Sequence, residues 1–155
     1  MVVTSTTVLQ RRDIPERTRS LSTLDRIDYS DVATIATTTE ATPEDWTRAI
    51  VEHAAGSKAQ LFWRMIGLRL DPPSAGHIGG WKIASTGDDW IVLETSSWYA
   101  TVNAVCEVDG GRVSLALLAR FDHPFARLAC PPVTLVHRRG IPMLLHLAAR
   151  HLAKA

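Results

Sequence analysis

Across residues 79–121 apolar and polar positions alternate with little interruption, GGWKIASTGDDWIVLETSSWYATVNAVCEVDGGRVSLALLARF, and the run is punctuated at Thr86-Gly87-Asp88 and Asp109-Gly110-Gly111. A period of two sends successive side chains to opposite faces of a strand, and the glycines tolerate positive φ. The stretch is therefore predicted as an antiparallel meander. Its strands cover residues 81–85, 90–95, 99–108 and 112–121. The segment 91–108 is too long for one strand, which puts a turn or bulge near Ser96-Ser97.

Before the meander, residues 26–39 alternate and are rich in β-branched side chains, the pattern of a first strand. Thr42-Pro43-Glu44-Asp45 then opens a helix, with Thr42 as cap, Pro43 at the first helical position and two carboxylates at the positive end of the macrodipole. Trp46, Ala49, Ile50 and His53 follow at helical spacing, and Gly56 ends the element. A second helix over 58–66 carries Leu61, Phe62, Met65 and Ile66 on one side. Residues 124–154 read as a long C-terminal helix whose main part starts at Pro131-Pro132 and which Gly140 and Pro142 kink or interrupt. Residues 1–22 are polar and aperiodic, so they are expected as a flexible N-terminal arm, leaving 23–155 as a single domain. The predicted class is α+β: a curved antiparallel sheet of five or six strands wrapped on a long kinked C-terminal helix, with two short helices after the first strand.

Parity sorts the side chains. One face of the last two strands takes Val102, Ala104, Cys106 and Val108 with Val113, Leu115, Leu117, Ala119 and Phe121, and is wholly apolar. The other face is mixed, and alternation alone leaves open whether Glu94, Asn103 and Arg120 are solvated or line a cavity. If buried they must be paired, and Glu94 with Arg120 is the natural pair. Trp81, Trp90, Trp98 and Tyr99 from the meander, with Phe62 and Met65 from the second helix, would supply an apolar wall, although such residues more often fill cores. His137-Arg138-Arg139 reads either as a charged turn or as the polar end of a cavity. Glu94 and His137 are thus the candidates for proton transfer.

Several chemistries are excluded by context. Gly76-His77-Ile78-Gly79-Gly80 precedes a strand, not a helix N-terminus, so it is no phosphate cradle and reads as a flexible rim. Ser96 and Ser97 lack the frame of a hydrolase nucleophile. His146 and His151 are not at i,i+4 spacing, and Cys106 and Cys130 fit no metal-ligand spacing, so no metal or cofactor is expected and both thiols should be free.

A net charge of +1 argues against nucleic acid. No run of about eighteen apolar residues occurs and the N-terminus has no apolar core segment, so no integral membrane segment is expected and the reading is cytoplasmic.

The segments YSDVATIAT, TPEDWTRAI, GGWKIA, DDWIVLETSSWYATV, GRVSLALLARFDHP and VHRRGIPMLL span residues 29 to about 147 and resemble a group of uncharacterised actinobacterial proteins. The element order resembles the helix-grip (SRPBCC) superfamily, which includes START lipid-transfer domains, polyketide cyclases and the major birch pollen allergen. That resemblance implies a sheet gripping a C-terminal helix around an apolar cavity. The expected partner is then a small hydrophobic molecule, held by Phe62, Met65, Trp81, Trp90, Trp98, Tyr99, Asn103 and Arg120, with a homodimer left open. The alternatives are a cyclase-like or hydratase-like enzyme using Glu94 or His137, and a non-catalytic interaction protein with a filled core.

Overall fold

Each strand of the meander turns where glycine or a polar pair permits it, and the result is a seven-stranded curved antiparallel sheet. This computed structural model describes residues 8–154. The strands are β1 (Leu9–Arg11), β2 (Tyr29–Ala36), β3 (His77–Ile78), β4 (Trp81–Thr86), β5 (Trp90–Ser96), β6 (Ala100–Asp109) and β7 (Arg112–Phe121), in the order β1-β2-β7-β6-β5-β4-β3. The turn expected near Ser96-Ser97 is present, with Ser97 N–H bonded to Ala100 O, and a bulge falls between Ile83 and Ser85.

Thr42 caps α2 (Pro43–Arg48) as its sequence demands: its hydroxyl accepts from Asp45 N–H while the Asp45 carboxylate reaches back to Thr42 N–H. A π-helical stretch, Ala49–Ala55, links α2 to α3 (Gly56–Met65). Together they bury Trp46, Ala49 and Ile50 against Ile35, Leu93, Leu115 and the C-terminal helix, the main core.

Four expectations are corrected. The sheet has seven strands, because β1 and β3 are too short to show a period. Gly76–Gly80 is no loose rim: Ile78 is fully buried and Gly79 and Gly80, both at positive φ, make a tight hairpin turn in which a Cβ on Gly79 would meet Val51. Of the kink or interruption expected in the C-terminal segment the interruption is absent, for it is one helix, α4 (Ala126–Ala153), about 42 Å long. It starts five residues before Pro131, through bonds such as Ala126 N–H to His123 O and Ala129 N–H to Phe125 O, so the prolines lie inside it. The Thr134 hydroxyl caps the Cys130 carbonyl at 2.8 Å beside them.

The fourth correction concerns the N-terminus. Residues 1–7 of the expected arm lie outside the described residues, but Val8 onward is not a loose tail. β1 pairs with β2, and α1 (Glu16–Leu21) lies across the mixed face of the sheet. Ile14 packs there with Val32, Val92, Val105, Ala116 and Leu118, flanked by Leu21, Leu24 and Ile27. The helix has only six residues, too short to persist or to show an apolar stripe without the sheet beneath it.

Candidate functional site

The register of the sheet makes one residue stand out. Ile83, Leu93, Ala104, Leu117 and Asp31 face one another in succession across β4, β5, β6, β7 and β2, a row of four apolar side chains ending in a carboxylate. The neighbouring row runs Thr95, Val102, Ala119, Tyr29. Both lie on the face parity marked as apolar, the face that α4 covers. Asp31 is 5% exposed, and burying a carboxylate without partners would cost several kcal/mol.

Its partners come from two elements. Tyr29, two residues back on the same face of β2, donates its hydroxyl to Asp31 Oδ2 at 2.5 Å. His137, from α4, brings Nε2 to 3.3 Å from Asp31 Oδ1, an ion pair when the imidazole is protonated. Burial, and then donation to Asp31, pushes the Tyr29 phenol well above its ordinary range, so it stays a donor. The Arg12 guanidinium stacks over the Tyr29 ring at 4.7 Å.

Tyr29 and His137 line a cavity of about 140 Å³ between the sheet and α4, whereas Asp31 and Arg12 contact them from outside its lining. One face of the helix lines it at spacings of three and four: Ala126, Cys130, Val133, Thr134, His137, Ile141 and Leu144. The sheet contributes Val102, Ala104, Leu115, Leu117 and Ala119, and Phe62, Trp63 and Ile66 come from the end of α3. Trp81 lines the cavity too; its Nε1–H is buried without a hydrogen-bond partner among the described residues, and its ring meets Trp63 edge-on at 5.5 Å.

The residues singled out from sequence divide three ways. Phe62, Trp81, Tyr99 and His137 line the cavity, Tyr99 while donating its hydroxyl to Ile66 O. Met65 and Trp98 are 77% and 56% exposed, so neither is an inner wall; Trp98 stacks on Phe125 at the surface. Trp90, Glu94, Asn103 and Arg120 are on the opposite sheet face, beneath the N-terminal segment.

Glu94 and Arg120 do not pair. Thr23 donates to Glu94 Oε1 at 2.6 Å, whereas Arg120 bonds Asp25 at 2.9 Å and Asp122 at 2.7 Å. Asn103 is fully buried but accepts from Ser22 and Thr23. Glu94, Asn103 and Arg120 are docking groups for residues 22–25, and Glu94 is remote from the cavity because strand parity turns it away.

Sequence patterning did not single out Tyr29, Asp31, Cys130 or Thr134. A usable signal existed for Asp31: in YSDVATIA it is the one charge on the face shared by Tyr29, Ala33 and Ile35. The cysteines are free, as expected. Burial pushes the Cys106 thiol up to about 12 and raises Cys130 in the same direction. Ser74, His77 and Asp71 form a hydrogen-bonded chain, but it is a local arrangement between β3 and the segment before it, outside the cavity. Among the described residues no cluster of three or more metal-ligating side chains occurs, and no helix is long and apolar enough to cross a membrane.

No family model and no curated protein matches the chain. Among solved structures, the crystal structure of the Mll3558 protein from Rhizobium loti is similar at 15% identity and a TM-score of 0.39, over 96% of this chain and 99% of that one.

Proposed function

We propose that the chain binds a small apolar or aromatic molecule in the cavity between sheet and α4, as a member of the helix-grip superfamily. One observation carries the reading: the wall of an apolar cavity includes Tyr29, hydrogen-bonded to the buried Asp31 carboxylate, and His137, 3.3 Å from that carboxylate. Ligand sites combine an apolar wall with a few convergent polar groups in this way. The volume limits the ligand, since an apolar cavity of about 150 Å³ accommodates one benzene molecule. A single ring or a short branched chain fits; a sterol or a multi-ring polyketide requires the cavity to widen. Burial of the ligand's apolar surface, at roughly 25 cal/mol per Å² before association costs, supplies the affinity. Tyr29, Asp31 and His137 orient the polar end.

The test is calorimetric titration with single-ring aromatics, beside native mass spectrometry of the freshly purified protein for a copurified molecule. Ala129→Phe, which fills the cavity from α4, should weaken binding by about tenfold or more, the loss of roughly 1.4 kcal/mol, with little change in melting temperature. No saturable binding by any such compound and no copurified mass would end the proposal.

A second reading, a cyclase-like or hydratase-like enzyme, is favoured by one feature. His137, which lines the cavity, lies 3.3 Å from the Asp31 carboxylate, the arrangement of an oriented acid/base. Glu94 has no part in it.

A further inference from the structure

Outside the polar end of the cavity lies a groove of about 390 Å³ lined by Gln10, Arg12, Thr134, Leu135, Arg138 and Arg139. Three arginines line it. Among the described residues none of the three has a carboxylate within ion-pair distance. The groove and the cavity adjoin: Thr134 lines both, and Arg12 of the groove lies over the ring of Tyr29, which lines the cavity. Gln10 Nε2 donates to Arg138 O at 2.6 Å, so β1, which Arg12 directly follows, is tied to the turn of α4 that carries Arg138 and Arg139. Asp31, beside Tyr29 and His137, is already engaged by both.

We propose that Arg12, Arg138 and Arg139 hold the anionic end of the cavity's ligand. The ligand is then a short amphipathic acid, with a single ring or short chain inside and a carboxylate or phosphate on the three arginines. Planar guanidinium groups bind both anions in a bidentate manner. This rests on the binding proposal above and adds the chemical class of the ligand. It also accounts for a polar exit from an otherwise apolar cavity, where a neutral hydrocarbon would need none.

The experiment compares three probes with one hydrophobic body, phenylbutanol, phenylbutyrate and phenylbutyl phosphate, by calorimetry at low and high salt. The expected result is that at least one anion binds about tenfold or more tightly than the alcohol at low salt, and that added salt shrinks the difference. Combining Arg12→Gln, Arg138→Gln and Arg139→Gln should bring all three probes to the affinity of the alcohol. The tighter anion identifies the headgroup.

Equal binding of the alcohol and both anions by the parent, or a preference that survives the substitutions, would overturn the proposal while leaving the cavity reading intact. Inorganic phosphate binding as tightly as phenylbutyl phosphate would overturn it too, because the apolar part would then contribute nothing. Failure of all three probes to bind would overturn this proposal, and the cavity reading with it when no other single-ring compound binds and no mass copurifies. Should the combined variant not fold, the salt dependence of the parent decides, and an anion preference unmoved by salt rejects the proposal.

Discussion

Gln10 Nε2 donates to the main-chain carbonyl of Arg138, at 2.6 Å, and Pro142 is the reason that carbonyl is free. In an α-helix the carbonyl of residue 138 would accept from the amide of residue 142, and proline has none. A helix-interrupting signal in the sequence is thereby converted into an attachment point for the N-terminal strand. A second attachment lies on the other face of the sheet, where Thr23 N–H donates to Asn103 Oδ1 and Asn103 Nδ2 donates to Thr23 Oγ1.

Deletion through Ser22 is therefore expected to destabilise the domain. It uncovers Val92, Val105 and Leu118, each fully buried, and removes partners from Asn103 and Glu107. Each uncovered aliphatic side chain is worth about 1.5–3 kcal/mol. A loss of about 3 kcal/mol or more should lower the melting temperature by roughly 6–12 °C in a domain of this length. A thermal scan that moves less than about 3 °C would mean the segment only rests on the sheet.

Asp31→Ala should cost about 1–3 kcal/mol in urea unfolding, because the buried Tyr29 hydroxyl loses its acceptor. The double variant Asp31→Leu with Tyr29→Phe should recover most of that loss. Its leucine extends the apolar row of Leu117 and Ala104, and replacing buried polar partners together is often neutral or stabilising. Ligand binding should remain impaired in both. Recovery of ligand affinity along with stability would show that Asp31 is structural only.

Stability should fall at alkaline pH through Tyr29. Its folded-state pKa is raised, first by burial and then by the hydrogen bond to Asp31, so its contribution is fully present below the unfolded value of about 10 and is lost as pH rises from there toward the folded value. Cys106, pushed up to about 12 by burial, acts in the same direction from its own ordinary value. Urea midpoints at pH about 8 and about 11 should differ less in Tyr29→Phe than in the parent. An identical drop in both proteins would assign the alkaline loss to other groups.

Cys130 offers a footprint of occupancy. It lines the cavity and is half-buried, while Cys106 is sealed in the core. Alkylation of the native protein by iodoacetamide should be slow, should map to Cys130, and should slow further under a saturating single-ring ligand. Burial holds both thiols protonated, and the thiolate is the reactive form. A Cys130 rate indifferent to a ligand that demonstrably binds would place that ligand elsewhere.

Much of the scaffold was legible because its signals are local. Thr42, Pro43 and Asp45 cap α2 within four residues, Asp109-Gly110-Gly111 turns β6 into β7, and strand parity assigned Val102, Ala104, Leu115 and Leu117 to one face without any partner in view. Phe62, Trp81, Tyr99 and His137 were legible as candidate walls for the same reason.

Tertiary structure decided what depends on pairs distant in the chain. Parity separates two faces but does not say which one a helix will cover, so Glu94, Asn103 and Arg120 could not be assigned until α1 and residues 22–25 were seen docked on them. β1 and β3, three and two residues long, exist only because a neighbouring strand supplies their hydrogen bonds. Asp31 becomes part of a site only when α4 carries His137 to it across more than a hundred residues of chain. The sequence by itself determined the strands, the capped helix and the apolar face; the fold decided which polar groups meet at the end of the cavity, because a buried carboxylate is settled by partners that no local pattern names.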